Sequence, residues 1–350
     1  MYRAAYIKHR LKFLKPAGTS RGVLLEKDSW MILVRRMDDA GKVGIGECSL
    51  IPGLSQDKTI DFEKTLKKVC ERLSQGNLDF EFITEYPAIR FGLETALLDL
   101  ESGAKKILFP STFTDGKTGI PINGLIWMGS GKSIQEQIDR KIKQGFRILK
   151  LKVGALDFEE ELRILAAIRK QYSSSDLEIR LDANGAWSND TAPEKLRYLA
   201  DYHIHSIEQP IAAGNPDAMA EVSATSPIPV ALDEELIGVY GSLERKSILE
   251  RIKPAYLILK PSLLGGIKSS EEWISLAQEQ GIGWWVTSAL ESNIGLNAIA
   301  QWCASLPTTL PQGLGTGSLF INNFPSPLEV KGDSLYHFPG KAWDVSQITI

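Results

Sequence analysis

The chain has 350 residues, 43% hydrophobic and 24% charged, with 40 basic and 43 acidic side chains and a net charge of −3. These ordinary globular values exclude a disordered or collagen-like chain and predict neither nucleic acid nor a membrane as a partner. The three cysteines, Cys48, Cys70 and Cys303, are odd in number and far apart, which excludes a disulfide framework or a CxxC metal site and favours a reducing, cytoplasmic compartment.

Residues 1–110 predict an α+β capping domain. Its pattern contains strand-like runs at 22–25 and 30–35, a glycine-rich turn at 44–47, and helices at 60–73 and 87–102. The turn Gly44-Ile45-Gly46 is not a phosphate loop, because the GxGxxG pattern is incomplete. The first 13 residues do not resemble a secretory signal, since four basic side chains interrupt their apolar positions.

Residues 111–325 predict a TIM-like (β/α) barrel, which makes the fold class α/β. Short apolar runs alternate with longer amphipathic stretches, a pattern typical of a parallel sheet covered by helices. The predicted strands are Ile122–Met128, Ile148–Val153, Leu177–Ala183, Ile204–Gln209, Ile228–Asp233, Ala255–Lys260, Gly283–Ser288 and Thr309–Gly315. The predicted helices include Ser133–Gln144, Phe158–Tyr172, Ala192–Tyr202, Ser270–Gln280 and Gly295–Ser305. Eight strands favour a closed barrel, and we expect the tail from about 326 to 350 to return to the capping domain.

A polar side chain ends, or nearly ends, six successive strands, about one βα unit apart. These residues are Lys152, Asp182, Glu208, Asp233, Lys260 and Ser288. Because barrel active sites are assembled at the carboxyl ends of the strands, the six are expected to share one rim. Strands two and six of an eight-stranded barrel are opposite each other, so Lys152 and Lys260 should face each other across its mouth.

The three carboxylates of this rim repel one another when they are buried without a cation. A hard divalent cation removes that conflict, and ligands that are all oxygen favour Mg²⁺, or Mn²⁺, over zinc or copper. Glu234 takes the place of Asp233 as a ligand if the register shifts by one residue.

Lys150 lies two residues before Lys152 and therefore shares its face of the strand. We expect one ammonium to lower the pKa of the other, so that one lysine becomes a base near pH 7. A lysine beside the α-carbon of a metal-bound carboxylate is suited to abstract a proton and form an enediolate.

The motifs that carry this chemistry resemble the muconate-lactonizing subgroup of the enolase superfamily, over the whole chain and in the same order. They are Lys150-x-Lys152, Asp182-x-Asn184, Glu208-Gln209-Pro210, Asp233-Glu234 and Lys260-Pro261. Within this subgroup three further features resemble the o-succinylbenzoate synthase family of menaquinone biosynthesis. These are Arg180, the segment Pro16-x-x-x-Ser20-Arg21-Gly22, and Gly313-Leu314-Gly315-Thr316.

The resemblance implies a Mg²⁺-dependent lyase that acts on a small carboxylate. Lys152 would take the α-proton of a 2-succinyl-6-hydroxy-cyclohexadiene-1-carboxylate and then protonate the departing hydroxyl, while Lys260 would stabilise the enediolate. The implied metal ligands are Asp182, Glu208 and Asp233, and the implied substrate-binding residues are Lys150, Arg180, Asn184 and Ser288. A loop at Gly46–Ser55 would close over the mouth and exclude water. Whether the chain forms a homo-oligomer stays open.

Three alternatives remain open. Two opposed lysines also suit an N-acylamino acid racemase or a dipeptide epimerase, although Gly315-Thr316-Gly317-Ser318 stands where such epimerases carry Asp-x-Asp. A non-catalytic barrel could instead bind a small carboxylate as a sensor. A structural network in which each carboxylate pairs with a lysine would produce the same pattern. His203-x-His205 precedes strand four, on the face that stabilises barrels, so we expect it to be structural.

Overall fold

The computed structural model describes residues 1–19, 22–39, 41–57, 59–77 and 79–348, so Ser20 and Arg21 of the front motif and the last two residues lie outside it. The strands are β1 (Tyr2–Thr19), β2 (Gly22–Arg36), β3 (Val43–Ser49), β4 (Ile120–Pro121), β5 (Gly124–Ile126), β6 (Ile148–Lys152), β7 (Glu178–Asp182), β8 (Ser206–Glu208), β9 (Val230–Leu232), β10 (Tyr256–Leu259), β11 (Gly283–Val286), β12 (Leu328–Lys331) and β13 (Ser334–His337). The helices are α1 (Phe62–Ser74), α2 (Pro87–Glu101), α3 (Gly131–Lys143), α4 (Phe158–Gln171), α5 (Ala192–Ala200), α6 (Pro216–Thr225), α7 (Ser242–Ile252), α8 (Pro261–Leu264), α9 (Ile267–Glu279) and α10 (Asn293–Ala304). No helix in these ranges is long and apolar enough to cross a membrane.

The front of the chain forms an antiparallel sheet in the order β1-β2-β3, packed against α1 and α2. Its longest strand, β1, was not predicted. Lys8, Arg10 and Lys12 alternate there with Leu11 and Phe13, which are buried. This period of two is the signal of a half-buried strand, although the same basic residues also count against a signal peptide.

The prediction of a turn at residues 44–47 is wrong, because this segment lies within β3. A Cβ atom on Gly46 would lie 1.9 Å from the carbonyl oxygen of Gly92, and one on Gly44 would lie 2.1 Å from that of Ala96. The two glycines therefore allow α2 to approach the sheet backbone to backbone. Glycine marks such close approaches as well as turns, and the sequence does not distinguish the two.

The second layer of the fold is a parallel sheet in the order β11-β10-β9-β8-β7-β6-β5, surrounded by helices. Its two edges come together through single parallel bridges, Ile122 with Gln312 and Thr287 with Gly313. The predicted α/β class with a barrel-like sheet and an antiparallel cap is confirmed. The predicted eighth strand at 309–315 is reduced to these bridging residues, since Pro311 has no N–H group to donate to a ladder.

The tail after the barrel contacts both parts of the fold. Strand β13 pairs with β12 and with β4, next to the first barrel strand. Phe324 and Ile348 pack with Met31, Leu33 and Ile45 of the antiparallel sheet in one buried cluster.

The buried carboxyl group of Asp57 should make the free energy of unfolding depend on pH. Its side chain is 3% exposed and accepts a hydrogen bond of 3.1 Å from the backbone N–H of Ala88 at the start of α2. Burial raises the pKa of this carboxyl to about 7, above the value of about 4 in an unfolded chain. The folded state therefore holds the proton more tightly, and the free energy of unfolding falls as the pH rises between these two values.

We expect Asp57→Asn, whose amide oxygen can accept the same bond, to remove this slope. Urea unfolding of both proteins at pH 5 and pH 8 measures it. The stability of the variant relative to the wild type should rise by about 2 to 3 kcal/mol between the two pH values. If the free energies of unfolding of the two proteins differed by the same amount at pH 5 and pH 8, the pKa of Asp57 would not be raised in the folded chain.

Candidate active site

A cavity of about 510 Å³ lies at the carboxyl ends of the barrel strands. Six of the residues singled out from the sequence line it, namely Lys150, Lys152, Asp182, Asn184, Lys260 and Ser288. Glu208 and Asp233 lie behind this lining and are 2% and 1% exposed. The structure thus brings eight of the nine predicted site residues to one end of the sheet.

Strand register explains this convergence. In the parallel ladder Lys152 is paired with Asp182, and Asp182 with Glu208, so their side chains are neighbours across adjacent strands. Strands β6 and β10, which end at Lys152 and immediately before Lys260, are four positions apart in a sheet whose edges meet. The two lysines therefore enter the cavity from opposite sides of the barrel.

The three lysines and three carboxylates alternate in one chain of ion pairs. Lys152 Nζ lies 3.2 Å from Asp182 Oδ2, and Lys150 Nζ lies 2.9 Å from the same oxygen. Lys150 Nζ also lies 2.5 Å from Glu208 Oε2. From the opposite side, Lys260 Nζ pairs with Asp233 and lies 4.0 Å from Glu208 Oε1.

The carboxylates titrate differently because they share these lysines unequally. Burial raises the pKa of Glu208 to about 8, and the nearby charge of Asp182 adds to the effect. Burial also raises the pKa of Asp233, which Lys260 only partly offsets. Burial alone would raise the pKa of Asp182 as well, but Lys150 and Lys152 together hold it well below its usual range.

The expectation that one lysine lowers the pKa of the other is wrong for Lys150. Burial and Lys260 do lower its pKa, but the carboxylates of Asp182 and Glu208 outweigh both and raise it. The pKa of Lys260 is raised in the same way, since Asp233 and Glu208 outweigh its burial. The spacing of lysines in a sequence does not show how many carboxylates each one meets.

The residues of this rim have the chemistry of a site for a hard divalent cation. Among the described residues no group of three His, Cys, Asp or Glu side chains is arranged as metal ligands, because ammonium groups lie between the carboxylates. The donor set nevertheless fits, since all three groups are buried oxygen ligands of the kind that Mg²⁺ prefers. Glu208 Oε1 is buried without a hydrogen-bond partner in the described part of the chain. The ion pairs are also what a structural network would show, so metal binding here is a proposal.

Asn184 and Glu234 hold the end of Lys152. Lys152 Nζ donates to Asn184 Oδ1 over 2.5 Å, and Asn184 Nδ2 donates to Glu234 Oε1 over 3.0 Å. Asn184 adopts a left-handed backbone conformation, with φ +45°, which asparagine tolerates better than most residues. Glu234, predicted only as a substitute metal ligand, lines the cavity and orients Asn184.

Arg180 lies deeper in the barrel than the cavity. Its Nε donates to Glu178 over 2.8 Å, and its Nη1 donates to the carbonyl oxygen of Pro311 over 2.9 Å. Its guanidinium is 4.4 Å from the centre of the Trp285 ring. These contacts place Arg180 one layer below Asp182 on the same face of β7.

Two segments of the front part of the chain, the loop after β3 and the end of β1, line the mouth of the cavity. Ile51 and Leu54 line it, so the predicted covering loop is partly in place, although residues 46–49 belong to β3. The end of β1 lines it as well, from Phe13 to Ala17. A Cβ atom on Gly18 would lie 3.3 Å from the carbonyl oxygen of Met128, so the end of β1 lies close to the segment that follows the first barrel strand.

Comparisons with known proteins place this geometry in a family. The family model described as "Enolase C-terminal domain-like" matches residues 133–338. The o-succinylbenzoate synthase of Desulfotalea psychrophila is 48% identical over 95% of this chain and 98% of its own length. The crystal structure of MenC from that organism has a TM-score of 0.83 and 43% identity, covering 96% of this chain and 99% of its own. The N-succinyl-L-Arg/Lys racemase of Bacillus cereus is 25% identical over 83% of this chain and 80% of its own length.

Proposed function

The chain belongs to the enolase superfamily, and on that premise we propose that it dehydrates a 2-succinyl-6-hydroxy-cyclohexadiene-1-carboxylate to o-succinylbenzoate, a step of menaquinone biosynthesis. The observation that carries the proposal is the likeness to an o-succinylbenzoate synthase over nearly the full length of both chains. The opposed lysines at the cavity supply the chemistry that this reaction needs.

Asp182, Glu208 and Asp233 are the residues that would hold a divalent cation. Their oxygens suit Mg²⁺, with Mn²⁺ as the alternative. When bound, the cation neutralises the substrate carboxylate and makes its α-proton more acidic. Glu208 Oε1, which is buried and accepts no hydrogen bond in the described part of the chain, supports this assignment.

Lys152 and Lys260 divide the work of the dehydration. Lys152 in its neutral form takes the α-proton onto Nζ, and the carbon–hydrogen electron pair moves into the enediolate. The same proton then passes from Nζ to the departing hydroxyl, so the carbon–oxygen bond breaks, water leaves and the ring becomes aromatic. Lys260, on the opposite side, stays an ammonium and stabilises the enediolate charge.

The remaining site residues orient these groups. Asn184 accepts from Lys152 Nζ and sets its direction, and Lys150 holds the side chains of Asp182 and Glu208. Ser288 lines the cavity and is assigned to the substrate, whereas Arg180 supports the strands from below. The capping domain, residues 1–110 with 326–350, covers the barrel, residues 111–325, and excludes water during the reaction. We place the enzyme in the cytoplasm.

An assay with two substrates tests this proposal. The purified chain is given the cyclohexadiene carboxylate with Mg²⁺ or with excess EDTA, and the aromatic absorbance is followed. We expect turnover with Mg²⁺ and at least a hundredfold loss on chelation. In parallel, an N-succinyl amino acid is incubated in D₂O and examined for exchange at its α-carbon.

Exchange with inversion and no dehydration of the diene would identify a racemase and reject the lyase. Binding of the diene without any turnover would identify a sensor. The segment Gly315-Thr316-Gly317-Ser318 favours the lyase over a dipeptide epimerase, because it offers no carboxylate to a substrate ammonium.

A further inference from the structure

A buried group of polar residues joins the capping sheet to the loop after the seventh barrel strand, residues 287–292. We call this group the inter-lobe cluster, and it consists of Lys27, Ser29, Glu47, Ser49, Glu291 and Ser292. Lys27 is 3% exposed, and the other five are fully buried. Buried charges are costly unless they are paired and hydrogen-bonded, so the members of this cluster must keep their relative positions.

Glu47 makes the connection from the capping sheet. Its Oε1 accepts from Ser292 N at 2.9 Å and from Ser29 Oγ at 2.8 Å. Its Oε2 accepts from Ser292 Oγ at 2.5 Å and from Gly295 N at 3.0 Å. A carboxylate of β3 therefore satisfies free N–H groups at the start of α10, where a negative charge is favoured.

Lys27 holds the loop itself. Its ammonium donates to the carbonyl oxygen of Leu290 over 2.8 Å and to the hydroxyl of Ser49. Leu290 has a φ of +61°, a conformation that residues other than glycine rarely adopt and that persists only where the surroundings enforce it. The chain trace of this loop is thus fixed from the capping sheet.

Glu291 fixes the same loop from within the barrel. Its Oε2 accepts from Ser288 Oγ at 2.5 Å and from Ala289 N at 2.8 Å, and its Oε1 accepts from Ser262 Oγ at 2.5 Å. Ser288, Ala289 and Leu290 all line the cavity. Three of the four loop residues that line the cavity are therefore held by Glu291 or Lys27, and the fourth, Thr287, is held by its backbone bond to Leu259 of β10.

We propose that Lys27, Glu47 and Glu291 are positioning residues that hold the loop 287–292 in the one shape that presents Ser288 and Leu290 to the substrate. The choice of substrate rests on the proposed function, whereas the fixing of the loop does not. Substrate affinity is thereby set partly by the capping sheet, through side chains that do not touch the substrate.

Glu47→Gln and Glu291→Gln test the proposal, because each keeps the shape of the side chain but turns an acceptor oxygen into a donor. We expect KM for the cyclohexadiene carboxylate to rise at least tenfold in both, with kcat within about threefold. Ser288 and Leu290 supply no acid or base for the reaction. Their displacement should therefore weaken the binding of the substrate and of the transition state equally, which raises KM and leaves kcat nearly unchanged. Amide hydrogen exchange of residues 288–292 should become at least tenfold faster.

Glu94→Gln is the matched control. Glu94, on α2, also reaches across to the barrel, where it accepts from Ile267 N at 2.6 Å and Lys268 N at 3.0 Å at the start of α9. It caps a barrel helix as Glu47 does, but among the described residues no hydrogen bond or ion pair joins it to loop 287–292. The substitution Glu94→Gln should therefore lower Tm without changing KM or the rate of amide hydrogen exchange in that loop.

If Glu47→Gln lowered Tm but left KM and the hydrogen exchange of the loop unchanged, the proposal would be overturned. Glu47 would then only cap the start of α10. Faster exchange with unchanged KM would also overturn it, because the loop would then not position the substrate. Should Glu47→Gln fail to fold, Ser49→Ala removes one acceptor of Lys27 and should shift the same two readouts in the same direction. A wild-type chain without turnover would defeat the proposed function alone, since loop exchange in the variants still decides whether the cluster fixes the loop.

Discussion

Lys152→Ala is expected to lower kcat for the cyclohexadiene carboxylate by about 10³-fold or more, since a positioned general base contributes roughly 10²–10⁴-fold and this lysine also returns the proton to the leaving hydroxyl. The fold should persist, because Asp182 keeps its contact with Lys150 at 2.9 Å. The rise of aromatic absorbance measures kcat, and a thermal melt checks folding.

Lys141→Ala is the control for this variant. Lys141 lines the same cavity, yet it stands on α3 and takes no part in the proposed chemistry, so its kcat should stay within about threefold of the wild type. Retention of a tenth or more of the wild-type kcat by Lys152→Ala would contradict its role as the base.

Glu208→Gln is expected to raise the Mg²⁺ concentration needed for half-maximal activity by about a hundredfold and to leave little activity at millimolar Mg²⁺. The amide keeps the volume of the side chain, but it cannot ionise to balance a bound cation and it replaces an oxygen ligand by an NH₂ group. Activity across a Mg²⁺ titration measures the effect, and calorimetric titration with Mn²⁺ measures binding without turnover.

Asp99→Asn serves as the comparison for the metal-ligand variant. Asp99 is likewise fully buried, but it accepts from Ile45 N and Lys106 N in the capping region. Its substitution should leave the Mg²⁺ requirement unchanged. Equal metal affinity in wild type and Glu208→Gln would favour the structural network of ion pairs over a metal site.

The convergence of the site was predictable because its signal is periodic. Lys152, Asp182, Glu208, Asp233 and Lys260 recur at about one βα unit, and parallel strands bring such positions to one edge whatever their side chains are. The helices α4 and α5 were predicted nearly to their bounds for the same reason, since their apolar spacing is strong.

What escaped prediction depends on contacts between distant segments. Gly44 and Gly46 predict a turn, because the residues next to them in the sequence give no sign that α2 packs against this strand. The raised pKa of Lys150 needs the positions of two carboxylates on other strands. Glu47 contacts the start of a helix that begins almost 250 residues later. No pattern in the residues around Glu47 predicts this contact.

The arrangement of the two lysines around the substrate is tested most directly by a crystal structure of Lys152→Ala with Mg²⁺ and the cyclohexadiene carboxylate. The account predicts a metal ion bound by Asp182, Glu208 and Asp233, with the α-hydrogen of the substrate directed at residue 152 and Lys260 Nζ on the opposite face of the ring. A substrate that presents its α-hydrogen to Lys260, or a metal bound away from these three carboxylates, would contradict it.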